Sequence, residues 1–347
     1  LYRGKSLKLF HCVWMAVVVQ CMTSCSSVAV TGFRADRSGP LTPWTAVPRP
    51  DPSALHFAVI GDRTGLARPG VFEQAMRQVG WMQPEFVINV GDLVEGYAGE
   101  RGTLEGEWHH IEQAIATLDQ PFFFVPGNHD LGNDLALDIW KQRRGTPWYH
   151  FIYKDVLFLC MDTEDPPAPM PEEMVKGFRQ MAAGMVTDPE GTEHRLHEGL
   201  ARVNAERESG AAFGGSLLNS ARFSQEQMDY FRRVIDANAN VRWTFVLMHK
   251  PAWDTPDSGF SEIETLLAER PYTVIAGHNH YYRYQKRAGR DYITMGTAGA
   301  ISHQEGPGRM DHIAWITLEA KKAPSIAQIR LTGLLDTSGE SGQTLAR

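Results

Sequence analysis

Gly61-Asp62, Gly91-Asp92, Gly127-Asn128-His129-Asp130, His249 and Gly277-His278-Asn279-His280 bring carboxylates, a carboxamide and imidazoles to five separate stretches, each just past a short apolar run. Side chains of these types are oxygen and nitrogen ligands for divalent cations, and the imidazoles also exchange protons near neutral pH. No sulfur donor accompanies them, which suits manganese, iron or zinc and disfavours copper(I). Taken singly, each cluster says little, because Gly-Asp turns are common and a lone histidine is usually a surface or satisfied core residue. Five clusters at the same place relative to an apolar run point to one shared site. The glycines fit such a site, since they permit tight turns where backbone passes close to an ion or a phosphate. The chain has no Walker loop, nucleophile elbow or H-E-x-x-H helix.

The elements that must position these residues are legible in the periodicity. Apolar runs at 56–60, 86–90 and 122–125 alternate with helical patterns near 70–81, 105–118 and 134–143, which predicts an α/β sheet. In such sheets ligands bind at the carboxyl ends of the strands, where the clusters fall. Strands at 148–153 and 156–160 joined at Lys154-Asp155 read as a hairpin. Between 166 and 221 the pattern weakens, with Pro166, Pro167, Pro169 and Pro171 followed by helices near 172–186 and 193–207. This stretch reads as an insertion or lid. Ser224 with Gln227 makes a capping box for a helix ending near Ala237. Strands at 243–247 and 272–275 flank a helix near 260–269. Alternating segments at 281–285, 291–295, 312–318 and 326–331 suggest an antiparallel second sheet.

In order and composition the clusters resemble the calcineurin-like metallophosphoesterases, whose motifs run D-x-H, G-D, G-N-H-D/E, H and G-H-x-H. The resemblance covers roughly 56–320, and residues 127–130 and 277–280 are its most specific parts. It implies a four-layer α-β-β-α sandwich of two mixed sheets, here spanning 55–335, that hydrolyses a phosphate ester with a hydroxide bridging two divalent or mixed-valence ions. By the same resemblance Asp62 and His280 hold the first metal, Asn128, His249 and His278 the second, and Asp92 bridges them. A shared anion offsets the repulsion between two close cations. His129 matches the general acid, a role that suits an imidazole, and Asp130 is counted with it among the catalytic residues. Glu95 stands where many relatives place an acid that orients this histidine, with a solvent-facing loop glutamate as the alternative. One departure matters: the first motif reads Asp62-Arg63-Thr64, so an imidazole ligand is missing. Water fills the gap, or another side chain such as Tyr97 does, or the first metal binds weakly. Purple acid phosphatases lose the same histidine but place a tyrosine where this chain has Glu95. Arg63 is a candidate contact for substrate phosphate through its planar fork, with a surface salt bridge as the alternative.

The 347 residues are 43% hydrophobic and 22% charged, which excludes a disordered or fibrous chain, and a net charge of −7 argues against nucleic-acid partners. Arg3, Lys5 and Lys8 precede an apolar run at 9–19 that is too short to span a bilayer, so 1–24 reads as a secretory signal. Met22-Thr23-Ser24-Cys25 resembles a bacterial lipobox, which implies lipid anchoring at Cys25 in the cell envelope; an ordinary cleaved signal and an uncleaved anchor are the alternatives. Residues 25–54, with Pro40, Pro43, Pro48, Pro50 and Pro52, read as a tether, and 336–347 as a tail. Cys12 and Cys21 lie in the leader and Cys160 in an apolar run, so no disulfide framework is expected. His109 and His110, and His194 and His197, read as solvated helix faces, His303 as a loop residue, and Trp253 as core. The expected partner is a phosphorylated small molecule or other phosphoester. The contrasting possibility is a non-catalytic envelope lipoprotein on a decayed scaffold, with Thr64 as the first sign of decay. Retention of His129 argues against it.

Overall fold

The computed structural model describes residues 51–208, 220–302 and 304–341, with side chains described for all of these but 197 and 200–208. The leader, Cys25, nearly all of the tether, the His197 side chain, His303 and residues 342–347 lie outside the described residues.

Runs such as Phe86–Asn89 and Val156–Cys160 are buried on both faces, and strands of that kind need cover on both sides. Two stacked sheets with helices on their outer faces meet that need. One sheet contains β1 (Leu55–Ile60), β2 (Phe86–Asn89), β3 (Phe122–Phe124), β10 (His312–Leu318) and β11 (Ser325–Arg330) in the order β11-β10-β1-β2-β3. The other contains β4 (Tyr149–Tyr153), β5 (Val156–Cys160), β6 (Trp243–Leu247), β7 (Tyr272–Ala276), β8 (Arg283–Arg287) and β9 (Arg290–Thr294) in the order β4-β5-β6-β7-β9-β8. Between the sheets Phe57 meets Phe158 and Phe245 edge-on, with ring centroids 5.3 and 5.0 Å away. Truncating such a phenylalanine costs about 3–5 kcal/mol. Cys160 shares this core, and burial pushes its thiol up to about 12, so it is inert packing.

On the outer face of the first sheet lie α1 (Val71–Met82), α2 (Arg101–Ile115) and α3 (Asp134–Arg144). Phe72, Ala75, Met76 and Val79 form the buried stripe of α1 at helical spacing. The second sheet is covered by α6 (Gln225–Ala237) and α7 (Phe260–Leu266), and Trp253 packs there against Tyr292. Ser224 caps α6 by accepting from the Gln227 N–H, but the Gln227 amide turns to Asp162 instead of closing the box. The insertion forms α4 (Glu172–Thr187) and α5 (Pro189–Glu208). His109, His110 and His194 are exposed.

The four late strands do not make an antiparallel sheet of their own. β9 runs parallel to β7 and carries β8 on its far edge, whereas β10 and β11 add antiparallel to the free edge of β1. Alternation identifies a strand but not its partner; an unpaired β1 edge would leave a row of backbone groups unbonded beside the core. Both sheets are therefore mixed, within the four-layer α/β sandwich. The hairpin turns at Lys154 and Asp155, both left-handed with φ of 49° and 58°, as a two-residue turn requires.

Candidate metal centre

β1, β2 and β3 are parallel neighbours in one sheet and β6 and β7 in the other, so their carboxyl ends meet across the sandwich. The loops leaving them carry Asp62, Asp92, Asn128, His249 and the His278/His280 pair. Asp92, His249 and His278 form one group whose ligand atoms lie within 4.8 Å of one another, and Asp62, Asp92 and His280 form another. Asp92 belongs to both.

On the first of these groups, His249 Nε2 lies 3.1 Å from Asp92 Oδ2, 3.1 Å from Asn128 Oδ1 and 3.2 Å from His278 Nδ1. The other ring nitrogen of His249 donates to the Val90 carbonyl at 2.9 Å, which leaves Nε2 as the group presented to the site. Asn128 is oriented in the same way, since its amide nitrogen donates to the Tyr97 hydroxyl at 2.9 Å and its oxygen faces inward. Lone pairs crowded at about 3 Å repel unless a proton or a cation lies among them. On the other side, His280 Nε2 lies 3.5 Å from Asp62 Oδ1, and its Nδ1 donates to the Ile301 carbonyl at 2.7 Å. Asp62 Oδ2 and Thr64 Oγ1 are buried without a hydrogen-bond partner, and an orphaned buried carboxylate oxygen is what a cation ligand looks like. The residues present therefore fit a pair of divalent ions joined at Asp92.

The electrostatics agree. Burial alone would raise the Asp92 pKa, but the charges of His249 and His129 hold it far below the usual carboxylate range. Burial alone would lower that of His249, yet Asp92 and Asp62 push it up to about 9. Desolvation and the neighbouring His249 charge hold half-buried His278 well below its usual range. The carboxylates thus create a field that favours positive charge. Asp92, His278 and His280 adopt left-handed backbone, with φ of 58°, 71° and 49°, a conformation that costs these residues about 1–2 kcal/mol each. Close packing dictates the neighbouring glycines: a Cβ on Gly91 would lie 2.4 Å from His249 Nδ1, and one on Gly127 2.1 Å from Asp92 Oδ1.

His129 is nearly buried, with Nε2 3.9 Å from Asp92 Oδ2 and Nδ1 donating to a backbone carbonyl at 2.9 Å. That carbonyl belongs to Glu95, and here the expectation needs correction. The Glu95 carboxylate accepts instead from the N–H groups of Leu66 and Ala67, at 3.4 and 2.8 Å, so it braces the Thr64 loop while its main chain orients the imidazole. Asp130 is likewise corrected from catalytic to positioning: fully buried, it accepts from the N–H groups of Asp92, Leu93, Val94 and Gly127 and clamps two ligand loops together. Burial and the nearby Asp92 charge raise its pKa to about 6. Tyr97 does not fill the gap at Thr64, because its hydroxyl is engaged with Asn128 on the opposite group. Arg63 donates to the Leu93 carbonyl at 3.2 Å and is half-buried, without an ion pair among the described residues.

Two residues escaped the sequence reading. Asn89 appeared as a strand position, but its buried amide bonds Gly61 and Gly91, tying together the loops of Asp62 and Asp92. A lone carboxamide in an apolar run was the available signal. Glu164 lies buried between Lys250, at 2.6 Å, and Arg222, at 3.2 Å, beside the His249 loop, and nothing local in the sequence announced it.

Residues 55–282 match the family model described as calcineurin-like phosphoesterase. The chain belongs to that family. Among curated proteins, this calcineurin-like phosphoesterase is 29% identical over 99 residues to the serine/threonine-protein phosphatase CPPED1 of Rattus norvegicus, a stretch that spans 26% of this chain and 31% of that one. Among solved structures it aligns with a dimetal phosphatase from Danio rerio at 12% identity, covering 79% of this chain and 99% of that one with a TM-score of 0.48. A purple acid phosphatase from yellow lupin (Lupinus luteus) seeds aligns at 12% identity over 76% of this chain and 49% of the other, with a TM-score of 0.49.

Proposed function

We propose that this phosphoesterase hydrolyses a phosphate ester at a centre of two divalent ions, with His129 as general acid. The observation that carries the reading is Asp92, a single carboxylate common to both ligand groups, with the His129 ring nitrogen facing it at 3.9 Å. Asp62 and His280 would hold one ion and Asn128, His249 and His278 the other, with manganese, iron or zinc suited to this oxygen and nitrogen set. When bound, such ions would supply a water of lowered pKa and would neutralise phosphoryl charge. The protein's own groups do the rest. Glu95's carbonyl holds Nδ1–H of His129, so Nε2 is aimed at the cleft to protonate the departing oxygen. Arg63, with one nitrogen fixed on Leu93, offers its remaining donors to the phosphate.

Metal content per chain, measured together with hydrolysis of an aryl phosphate and an aryl phosphodiester, tests this reading. Two equivalents of metal are expected, with turnover that falls about 10²–10⁴-fold in His129→Ala. One ion or none, and no turnover with added manganese, iron or zinc, would support a binding role instead. The reading also includes export and lipid anchoring at Cys25, supported by the pattern of residues 1–25. Labelled palmitate should enter the wild type in a bacterial host and not Cys25→Ala.

A further inference from the structure

The general acid lies under a helix that the chemistry above does not use. Along α4 the residues Val175, Phe178, Met181, Ala182 and Met185 recur at helical spacing and turn inward. Met185 rests with Leu66 and Ile301 in a small apolar cluster of its own, separate from the cores around the sheets, and Phe178 packs against that cluster. Arg179 anchors the same helix over the site, pairing with Glu107 at 2.5 Å and donating to the Gly96 carbonyl at 3.1 Å. The neighbouring Phe178 ring stands 4.9 Å from the His129 ring and 6.2 Å from that of Tyr97, which itself meets His129 edge-on at 5.0 Å. Phe178 is only half-buried, so part of its ring remains available to a third partner.

A general acid must reach the leaving oxygen within about 3 Å. Whatever group that oxygen carries must therefore pass beside His129, where the flanking rings are Phe178 and Tyr97. The Arg179 guanidinium is taken up by Glu107 and the Gly96 carbonyl. Ring walls of this kind reward flat apolar groups that stack or meet a ring edge over a polyol.

We propose that Phe178 is a specificity-determining residue that selects phosphate esters whose leaving group carries an aromatic ring. This rests on the phosphoesterase reading above and on His129 as its acid. In the full chain loaded with metal, kcat/KM is measured for phenyl phosphate and for glycerol phosphate in the wild type, Phe178→Ala, Phe178→Leu and Phe178→Tyr. Because intrinsic leaving-group reactivity cancels between variants, the quantity read is the change in the phenyl-to-glycerol ratio. The ratio should fall about tenfold in Phe178→Ala and Phe178→Leu, mainly through KM of the phenyl ester, and should be restored in Phe178→Tyr. Metal content should be unchanged throughout. An unchanged ratio, or an equal loss on both esters in the volume-conserving Phe178→Leu, would overturn the inference and leave a packing role for the ring. A wild type that binds metal yet hydrolyses neither of these esters nor an aryl phosphodiester would overturn the phosphoesterase reading itself, and this inference with it; turnover of the diester alone would overturn only this inference.

Discussion

The two halves of the candidate centre are built to different standards. Around His249 three ligand candidates besides Asp92 converge, and their orientation is fixed from behind: the Val90 carbonyl holds His249 and the Tyr97 hydroxyl holds Asn128. Around Asp62, among the described residues, only His280 joins the shared carboxylate, and the residue where the family places a further imidazole is Thr64, buried with an unpartnered hydroxyl. One half thus offers four protein groups and the other three. Since each protein ligand replaces a water at no further ordering cost once the loop is fixed, the fuller half should bind its ion more tightly. The geometry therefore predicts sequential loading, with the His249 side filled first.

Removing what the halves share should have the largest effect. Asp92→Ala should reduce both metal equivalents and bring turnover to background; metal analysis that still finds two ions would break the assignment of Asp92 to both. Repairing the poorer half comes next. Thr64→His should raise the affinity of the weaker ion by at least about tenfold, read as the second step of a metal titration, while the tighter step stays where it was. A titration in which both steps move, or neither, would mean that Thr64 does not border the poorer half. Smaller again is the loss of a brace on the richer half: Tyr97→Phe keeps the ring against His129 but frees the Asn128 amide, and should weaken the tighter ion about tenfold. Weakening of the other step would place Tyr97 on the wrong side.

The contrast between the halves also marks how far the sequence could be read. The ligand loops were legible because each follows an apolar run, and strand ends in an α/β sheet have one geometric destiny. The backs of the loops were not. Glu95 was expected to orient His129 with its carboxylate, yet a backbone carbonyl does that work, and backbone acceptors are the same at every residue. Asp130 sits beside His129 in sequence, and only the fold shows that its oxygens collect four N–H groups from two loops. The assignment of β8 to β11 failed for a related reason. Alternation records which face of a strand is buried, but partner choice depends on edges created by distant segments.

The change expected to touch turnover least concerns what supports the poorer half. Nε2 of His312 accepts the Gly296 N–H at 2.8 Å, and Gly296 packs so closely on Gly61 that a Cβ there would lie 2.3 Å from its carbonyl oxygen. The loop of Asp62 therefore leans on a buried imidazole, whereas that of His249 leans on a carbonyl that does not titrate. Burial lowers the His312 pKa from 6.5 to about 4. Between those values the unfolded chain holds a proton that the folded one refuses, so stability present above pH 6.5 is lost as the pH falls towards 4. The full shift corresponds to about 3 kcal/mol. Asp130, with its pKa raised to about 6, acts in the opposite sense, gaining stability as the pH falls, and it cancels when wild type is compared with a variant. His312→Gln keeps an acceptor for Gly296 and removes the titration. Its denaturation midpoint should trail the wild type at pH 7 and draw level or overtake it at pH 4.5, with little change in turnover at neutral pH. Parallel stability curves for the two proteins would show that the strut behind Asp62 carries no acid sensitivity, and the two halves would then differ in ligands alone.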